Sequence, residues 1–420
     1  MKNGISIIGY DLNYEYCQIS IGTSLDEEPE TLYLMDDKED TELPLIIAKR
    51  NEEAPWVTGT EALRLDTMGE GIVIRDLLRL SMDNAKVKVG SEEVSAVTLL
   101  TEFIRLSLLR LLMVDLGEQI TCIVFTVPKI DEDVITMLKS AASRLGIDKS
   151  RIYVQDYKES LYDYISHQSR ELWNYDVVLM GYIGTGLYSY KLIKEPLPKG
   201  RKKELVSVQE GPVMEVKPGN EGDRKLLIYA QAVFGKSLIS SVFLIGKEFE
   251  GGWFPEAQNY LCKNRRVFIG RNLYSKGACY GGFRKTGLDH PDAIYLDSYK
   301  IVSQISIRLR VRGKEQWVPV AYQGENWYEI NREMEVLMDQ STTLMVQVDT
   351  IGKNMPVQDV ISLEGLFEKQ RRTVRLSIRT VFLGKDRCRI IIRDVDFGEL
   401  RKATGYELVH TLQLENVTFR

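Results

Sequence analysis

The stretch Ile5-Ser-Ile-Ile-Gly9-Tyr-Asp11-Leu-Asn13-Tyr-Glu15-Tyr-Cys17-Gln-Ile19-Ser-Ile21 decides how the chain is read. Two β-rich runs flank a Gly-x-Asp turn, and Tyr16, Gln18 and Ser20 alternate with Cys17, Ile19 and Ile21, which predicts a hairpin with one buried face. Gly9 lets a bound group approach the backbone, and Asp11 at a strand end suits a metal-bound water beside phosphates. Alone, the same residues equally describe a surface hairpin with a turn aspartate.

The bulk properties narrow the choice. A chain of 420 residues and 48.1 kDa exceeds one ordinary core and predicts two or three domains. A net charge of -5 and a pI near 5.6 argue against nucleic acid as a partner. The apolar candidate Leu99 to Val114 is interrupted by Glu102, Arg105 and Arg110, so membrane insertion is not expected. The N-terminus has no signal-type apolar segment, and a cytoplasmic location follows as an expectation. Cys17, Cys122, Cys262, Cys279 and Cys388 are scattered without a CxxC pair, and His167, His290 and His410 lie far apart, so no metal site is predicted.

Further along, Ser91-Glu-Glu-Val94 reads as the capped start of a helix carrying Val94, Val97, Leu100, Ile104, Leu108 and Leu111 on one face. Gln119 to Val127 reads as a strand buried on both faces, Asp131 to Leu145 as a helix stopped by Gly146, and Arg151 to Val154 as the next strand, a βαβ unit. Glu159 to Trp173 reads as a helix with His167 on its surface, and Asp176 to Met180 as another buried strand. A second glycine turn, Gly184-Thr185-Gly186, then echoes the first hairpin. Lys194 to Asp223 reads as a loop or small irregular insert, and Lys225 to Ser241 as a helix. From about Ile301 the pattern changes to period two, as in Ile305 to Val311 and Val374 to Ile378, which predicts an antiparallel sandwich or barrel. The basic runs Lys199 to Lys203 and Lys369 to Arg372, and the acidic run Asp36 to Asp40, read as solvated loops.

In order and spacing these pieces resemble the DnaK-type, seventy-kilodalton heat-shock chaperones of the actin-like ATPase superfamily. Gly9-Tyr-Asp11-Leu looks like that family's first phosphate loop. Pro44-Leu-Ile-Ile-Ala48 and Gly59-Thr-Glu-Ala62 resemble its Pro-Ser-x-Val-Ala and Gly-Asp-Ala-Ala segments, and Thr126-Val127-Pro128 its Thr-Val-Pro strand. Gly184-Thr185-Gly186 falls at the second phosphate loop, Leu244-Ile245-Gly246 and Gly277-Ala278 resemble adenosine-side segments, and Asp292 to Asp297 resembles the interdomain linker. The resemblance implies a reduced α/β actin-like ATPase (ribonuclease H-like) fold over residues 1–290, a linker over 291–300, and an all-β sandwich like the chaperone peptide-binding domain over 301–420. It also implies ATP or ADP with Mg²⁺ as cofactor. Gly9, Asp11, Asn13, Gly184, Thr185, Gly186, Gly246 and Gly277 are then the nucleotide-binding candidates, although glycines at such turns also serve the fold itself.

The departures from the family pattern bear on chemistry. Tyr14 and Glu15 stand where the family has a Thr-Thr pair, Asn13 where it has glycine, and Gly181 where it has a metal-orienting aspartate. The family lysine falls on Leu63, with Arg64 beside it, and the catalytic glutamate on Tyr157, with Asp156 beside it. Of the charged catalytic positions only Asp11 is retained. One such group contributes about 2.7–4 kcal/mol to a transition state, so efficient turnover is not expected. The sequence therefore predicts a pseudo-ATPase with no catalytic residues and weak or absent nucleotide binding, acting as a protein- or peptide-binding module or scaffold. Trp317, Tyr322, Trp327 and Tyr328 either line a peptide site or belong to the core. The alternatives are an active ATP-dependent chaperone ATPase, a sugar or metabolite kinase, and an actin-like filament former.

Overall fold

A strand buried along its whole length needs partners on both edges and cover on both faces. Strand β1 (Ile7–Leu12) has both edges filled: it pairs antiparallel with β2 (Tyr16–Gly22) and parallel with β9 (Cys122–Val127). The computed structural model describes residues 6–35, 40–111, 120–196, 203–338, 341–367, 373–395 and 402–415. Contacts divide the chain into one unit of Met1–Ile193 with Val208–Pro291 and a second of Lys194–Ser207 with Asp292–Arg420.

In the first unit, β3 (Glu30–Thr31), β4 (Leu43–Pro44) and β10 (Ile152–Asp156) complete a sheet ordered β10-β9-β1-β2-β3, with β4 also against β2. Between β4 and β9 lie β5 (Ile47–Lys49), α1 (Thr60–Met68), β6 (Ile72–Ile74), α2 (Leu77–Met82), β7 (Lys86–Val89), β8 (Glu92–Ser95) and α3 (Ala96–Leu109). The helix start expected at Ser91 is displaced. Val94 pairs across from Val87 in a short ribbon, Gly90 turns the chain with φ +62, and α3 begins only at Ala96. Helix α4 (Glu132–Ser143) follows β9, its first turn capped by the Asp131 carboxylate, which accepts from Val134 N at 2.8 Å. Helix α5 (Tyr157–Ser166) follows β10 and is capped in the same way by Asp156.

The second sheet of this unit is built from β11 (Asp176–Ile183), β12 (Gly186–Glu195), β14 (Met214–Glu215), β15 (Ile239–Ile245) and β16 (Arg266–Gly270). Its order is β16-β15-β11-β12, with β14 against β12. Helices α6 (Asn220–Phe234), α7 (Pro255–Leu261) and α8 (Leu273–Lys285) precede β15, precede β16 and follow β16. The two sheets therefore repeat one pattern. In each, an antiparallel hairpin is followed by helix, parallel strand, helix, parallel strand and helix, and the first hairpin strand sits in the middle. Lys194 to Asp223, expected as a loop, contains β13 (Glu204–Glu210) and β14, because Leu205 and Val206 bury their side chains as a strand.

Helix α8 approaches its neighbours through glycines. A Cβ on Gly277 would lie 2.1 Å from Ser160 O in α5, and one on Gly9 would lie 2.0 Å from Ser275 O in α8. Buried charges clamp the same contact: Arg284 reaches Glu159 and Asp163, both at 2.7 Å. His167, expected on the surface, is instead stacked on Tyr280 at 4.0 Å and bonded to Asp289 at 3.1 Å, since the C-terminal end of α5 packs against α8 and the loop that follows α8.

In the second unit, β17 (Ala293–Tyr295) pairs parallel with β13, so part of the stretch expected as a linker is strand. Two four-stranded antiparallel sheets follow. The first is β19-β18-β21-β22, from β18 (Ser303–Val311), β19 (Lys314–Ala321), β21 (Thr343–Thr350) and β22 (Val357–Ser362). The second is β20-β23-β24-β25, from β20 (Asn331–Met338), β23 (Val374–Gly384), β24 (Arg387–Val395) and β25 (Glu407–Gln413), with the short α9 (Glu364–Phe367) before β23. Ile305, Ile307 and Val346 of the first sheet share one core with Leu376, Ile390 and Ile392 of the second. His410 on β25 bonds Asp359 on β22 at 2.8 Å, tying two outer strands.

The basic run at 369–372 and all but Lys203 of the run at 199–203 lie outside the described residues, as do 36–39 of the acidic run, the end of the expected Leu99 to Val114 helix, and Gln119. Among the described residues, no helix is long and apolar enough to cross a membrane.

The tight α5–α8 contact sets a test. Gly277→Ala forces a Cβ against the Ser160 carbonyl and should destabilise the protein by about 1–3 kcal/mol, read from urea unfolding midpoints. Gly146→Ala, where a Cβ meets nothing within 4 Å, bears only the strain of φ +85 and serves as the control.

Candidate functional site

The ends of β1 and β11 run into the two hairpin turns, and beside them lies a cavity of about 270 Å³ within the first unit. Its wall is dominated by aromatic hydroxyls: Tyr14, Tyr16, Tyr157, Tyr182, Tyr188 and Tyr274. Tyr157 opens α5, directly after the Asp156 cap, and therefore projects from the end of the first sheet. Tyr188 lies on β12 directly opposite Gly181 on β11. Tyr274 comes from the first turn of α8.

These rings form one connected group. Tyr157 and Tyr274 stack at 3.7 Å with an interplanar angle of 9°, and the Tyr188 and Tyr274 hydroxyls are 2.8 Å apart. The Tyr157 hydroxyl donates to Asp11 Oδ1 at 2.8 Å. Asp11 itself is 0% exposed, and its Oδ2 is buried with no hydrogen-bond partner. Burial pushes the Asp11 carboxyl up to about 8, against the opposing pull of the Tyr157 hydrogen bond and with a further push from Glu42. Burial likewise holds the Tyr157 and Tyr274 phenols well above their ordinary value, so both remain neutral.

The charged part of the wall is acidic. Glu15, Glu42 and Glu248 face one cation, Lys247. Lys247 is already bonded to Asp40 at 2.8 Å and Glu42 at 2.7 Å. Burial raises the Glu42 carboxyl despite this pairing.

The candidates named from sequence divide. Asn13 and Gly246 stand in the cavity wall. Asn13 is occupied with the turn: its Oδ1 accepts from Glu15 N and Tyr16 N, both at 2.8 Å. Asp11 lies beneath Tyr157. Gly9 in β1 and Gly277 in α8 are packing glycines where α8 meets β1 and α5, outside the cavity wall. Gly184 occupies the first position of the two-residue turn with φ +59 and open space at its Cβ, Thr185 O accepts from Val216 N at 3.2 Å, and a Cβ on Gly186 would meet Val213 at 2.9 Å. Arg64 pairs with Glu61 at 3.2 Å, and Asp156 serves as the α5 cap and pairs with Lys158 at 3.4 Å, so neither replaces a catalytic group in the cavity. In the second unit, Trp317 sits on the outer strand β19 opposite Arg308, while Tyr322 lies under the Arg332 guanidinium at 5.3 Å. Trp327 packs against the core and meets Tyr328 edge-on at 5.8 Å.

Tyr157 and Gly181 read from sequence as losses of charged groups, and what fills their place was not legible there. A Cβ on Gly181 would lie 2.6 Å from the Tyr188 hydroxyl, so the position where an aspartate was expected is the space that Tyr188 fills. The opposition of Gly181 and Tyr188 across a two-residue hairpin was the available signal. Mg²⁺-ATP does not fit these residues: the one retained carboxylate is covered, the wall carries excess negative charge, and its single lysine is already paired. Among the described residues no cluster of three or more His, Cys, Asp or Glu could hold a metal ion.

Comparison with known proteins gives the family. Residues 28–298, well over half of the chain, match the Family of unknown function (DUF5716) C-terminal. The chain belongs to this family. Its remaining part, residues 300–414, matches the Domain of unknown function (DUF8552). No curated protein matches the chain. The family match takes in the β11–β12 hairpin, Tyr157, Tyr188 and Tyr274, while β1 and β2 precede it.

The buried carboxyl sets a pH test. Below its ordinary value of 3.8, Asp11 is protonated whether the chain is folded or unfolded, and its contribution to stability is fully present. As pH rises toward about 8, the unfolded chain releases this proton while the folded one retains it, so stability falls by up to about 1.4 kcal/mol per pH unit. Urea midpoints measured from pH 4 to 9 should show this slope in the native protein and a flatter profile in Asp11→Asn.

Proposed function

We propose that the chain is a non-hydrolysing member of the actin-like ATPase superfamily, arranged like the DnaK-type chaperones, that works as a protein- or peptide-binding module. The observation that carries the reading is the Tyr157 hydrogen bond onto Asp11. On this fold, hydrolysis requires carboxylates that hold Mg²⁺ and orient water, and a cation for developing charge. Here the single remaining carboxylate is covered by the Tyr157 phenol, and its complete burial favours the protonated form even though the phenol's hydrogen bond favours the ionised one.

The assignment to the superfamily is supported by the repeated pattern of hairpin, helix, parallel strand, helix, parallel strand and helix in the two sheets of the first unit. The binding role is supported by the second unit, whose two four-stranded sheets end in outer strands able to pair with an added peptide strand. Val357, 64% exposed, opens outer strand β22, and Met355, 78% exposed, precedes it by two residues. The five free thiols suit the reducing conditions of a cytoplasm.

Purified protein incubated with Mg²⁺-ATP should release no phosphate above the rate of a buffer control, and Mg²⁺-ATP should leave its melting temperature unchanged. Turnover that disappears in Asp11→Ala would overturn the proposal.

A further inference from the structure

The tyrosines close the phosphate position but leave a cavity whose chemistry is specific. Two of its carboxylates, Glu15 and Glu248, have no ion-pair partner among the described residues. Glu15 is exposed at the turn, and Ile183, 46% exposed, marks a second part of the wall open to solvent. Glu248 is half-buried and close enough to Tyr182 and Tyr188 for its charge to oppose ionisation of both phenols. The Tyr182 hydroxyl is buried without a hydrogen-bond partner. The cavity thus combines aromatic rings, an unpaired carboxylate and an unsatisfied hydroxyl, with no free cation in its wall among the described residues.

Each element points to the same ligand charge. Ring faces attract cations through their quadrupoles, most strongly where water is excluded. An unpaired, half-buried carboxylate is stabilised by an incoming positive group and repels phosphate. A buried phenol oxygen without a partner can accept from an N–H group. We infer that the cavity binds a small organic cation, an amine or guanidine, with its charged head between the Glu248 carboxylate and the tyrosines. Recognition combines an ionic hydrogen bond to Glu248, N–H donation to the Tyr182 oxygen, and contact with ring faces. This deepens the proposed function, since it requires a cleft free of nucleotide.

The test is isothermal titration of the full chain with agmatine and with choline, beside Mg²⁺-ADP and an acetylated Gly-Arg-Gly peptide. Agmatine should bind saturably and weaken as salt is raised, and choline, which offers no N–H, should bind more weakly. Glu248→Gln should weaken agmatine about ten-fold or more. Glu132→Gln, exposed on the first turn of α4 and outside the cavity wall, should bind as the native protein does, and unliganded melting curves establish that both variants fold. Absence of binding by agmatine, or equal binding by Glu248→Gln, overturns the inference. Binding by the arginine peptide without binding by agmatine overturns the small-molecule source. If Mg²⁺-ADP binds in the same cavity, the non-nucleotide reading falls as well; if nothing binds, only the cation inference falls.

Discussion

A single hydrogen bond, from the Tyr157 phenol to the Asp11 carboxyl, ties together the parts of the first unit. Asp11 ends the central strand of one sheet and Tyr157 opens α5. Tyr157 stacks on Tyr274 at the start of α8, whose hydroxyl meets that of Tyr188 in the second sheet. The chain of contacts therefore runs from β1 to β12. Because Asp11 is wholly buried and one of its oxygens has no partner, its neutral form is the one the fold accommodates. A carboxyl held in that form is a poor metal ligand and a good anchor for a phenol.

The substitutions are mutually dependent. Gly181 has no side chain because the opposing Tyr188 hydroxyl fills that volume. Tyr188 in turn requires a partner for its hydroxyl, and Tyr274 supplies one. Two glycines that the resemblance offered as nucleotide-binding candidates serve packing: Gly9 and Gly277 admit α8 against β1 and α5 at distances that exclude a Cβ. The acidic wall and the doubly paired Lys247 follow the same direction, away from anions.

Much of the first unit was legible because period and capping are local. The apolar run ending at Val127 and the Gly146 stop after the Asp131 to Leu145 run both identify elements that need no knowledge of distant partners. The Ser91 helix start was misread because Gly90-Ser91 is also a two-residue hairpin turn, and Val87 opposite Val94 decides for the ribbon. Asp11 was legible as a carboxyl near a strand end, but the turn expected at Gly9-Tyr-Asp11 falls instead at Asn13 to Glu15, because Gly9 to Asp11 are buried inside β1, and the cover over Asp11 was not legible. Tyr157 and Tyr274 are separated from it by 146 and 263 residues, and no local pattern brings them together. The exposure of Tyr322 and the core packing of Trp327 were equally closed to sequence, since both residues sit in the irregular stretch between β19 and β20.

The most direct measurement of the central claim is the titration of the Asp11 carboxyl carbon by nuclear magnetic resonance in protein labelled at aspartate. The carboxyl should remain protonated through neutral pH, titrate near 8, and move higher in Tyr157→Phe, where the phenol donor that stabilises the ionised form is gone. An Asp11 that titrates at an ordinary carboxylate value near 4 and does not respond to Tyr157→Phe would contradict the claim.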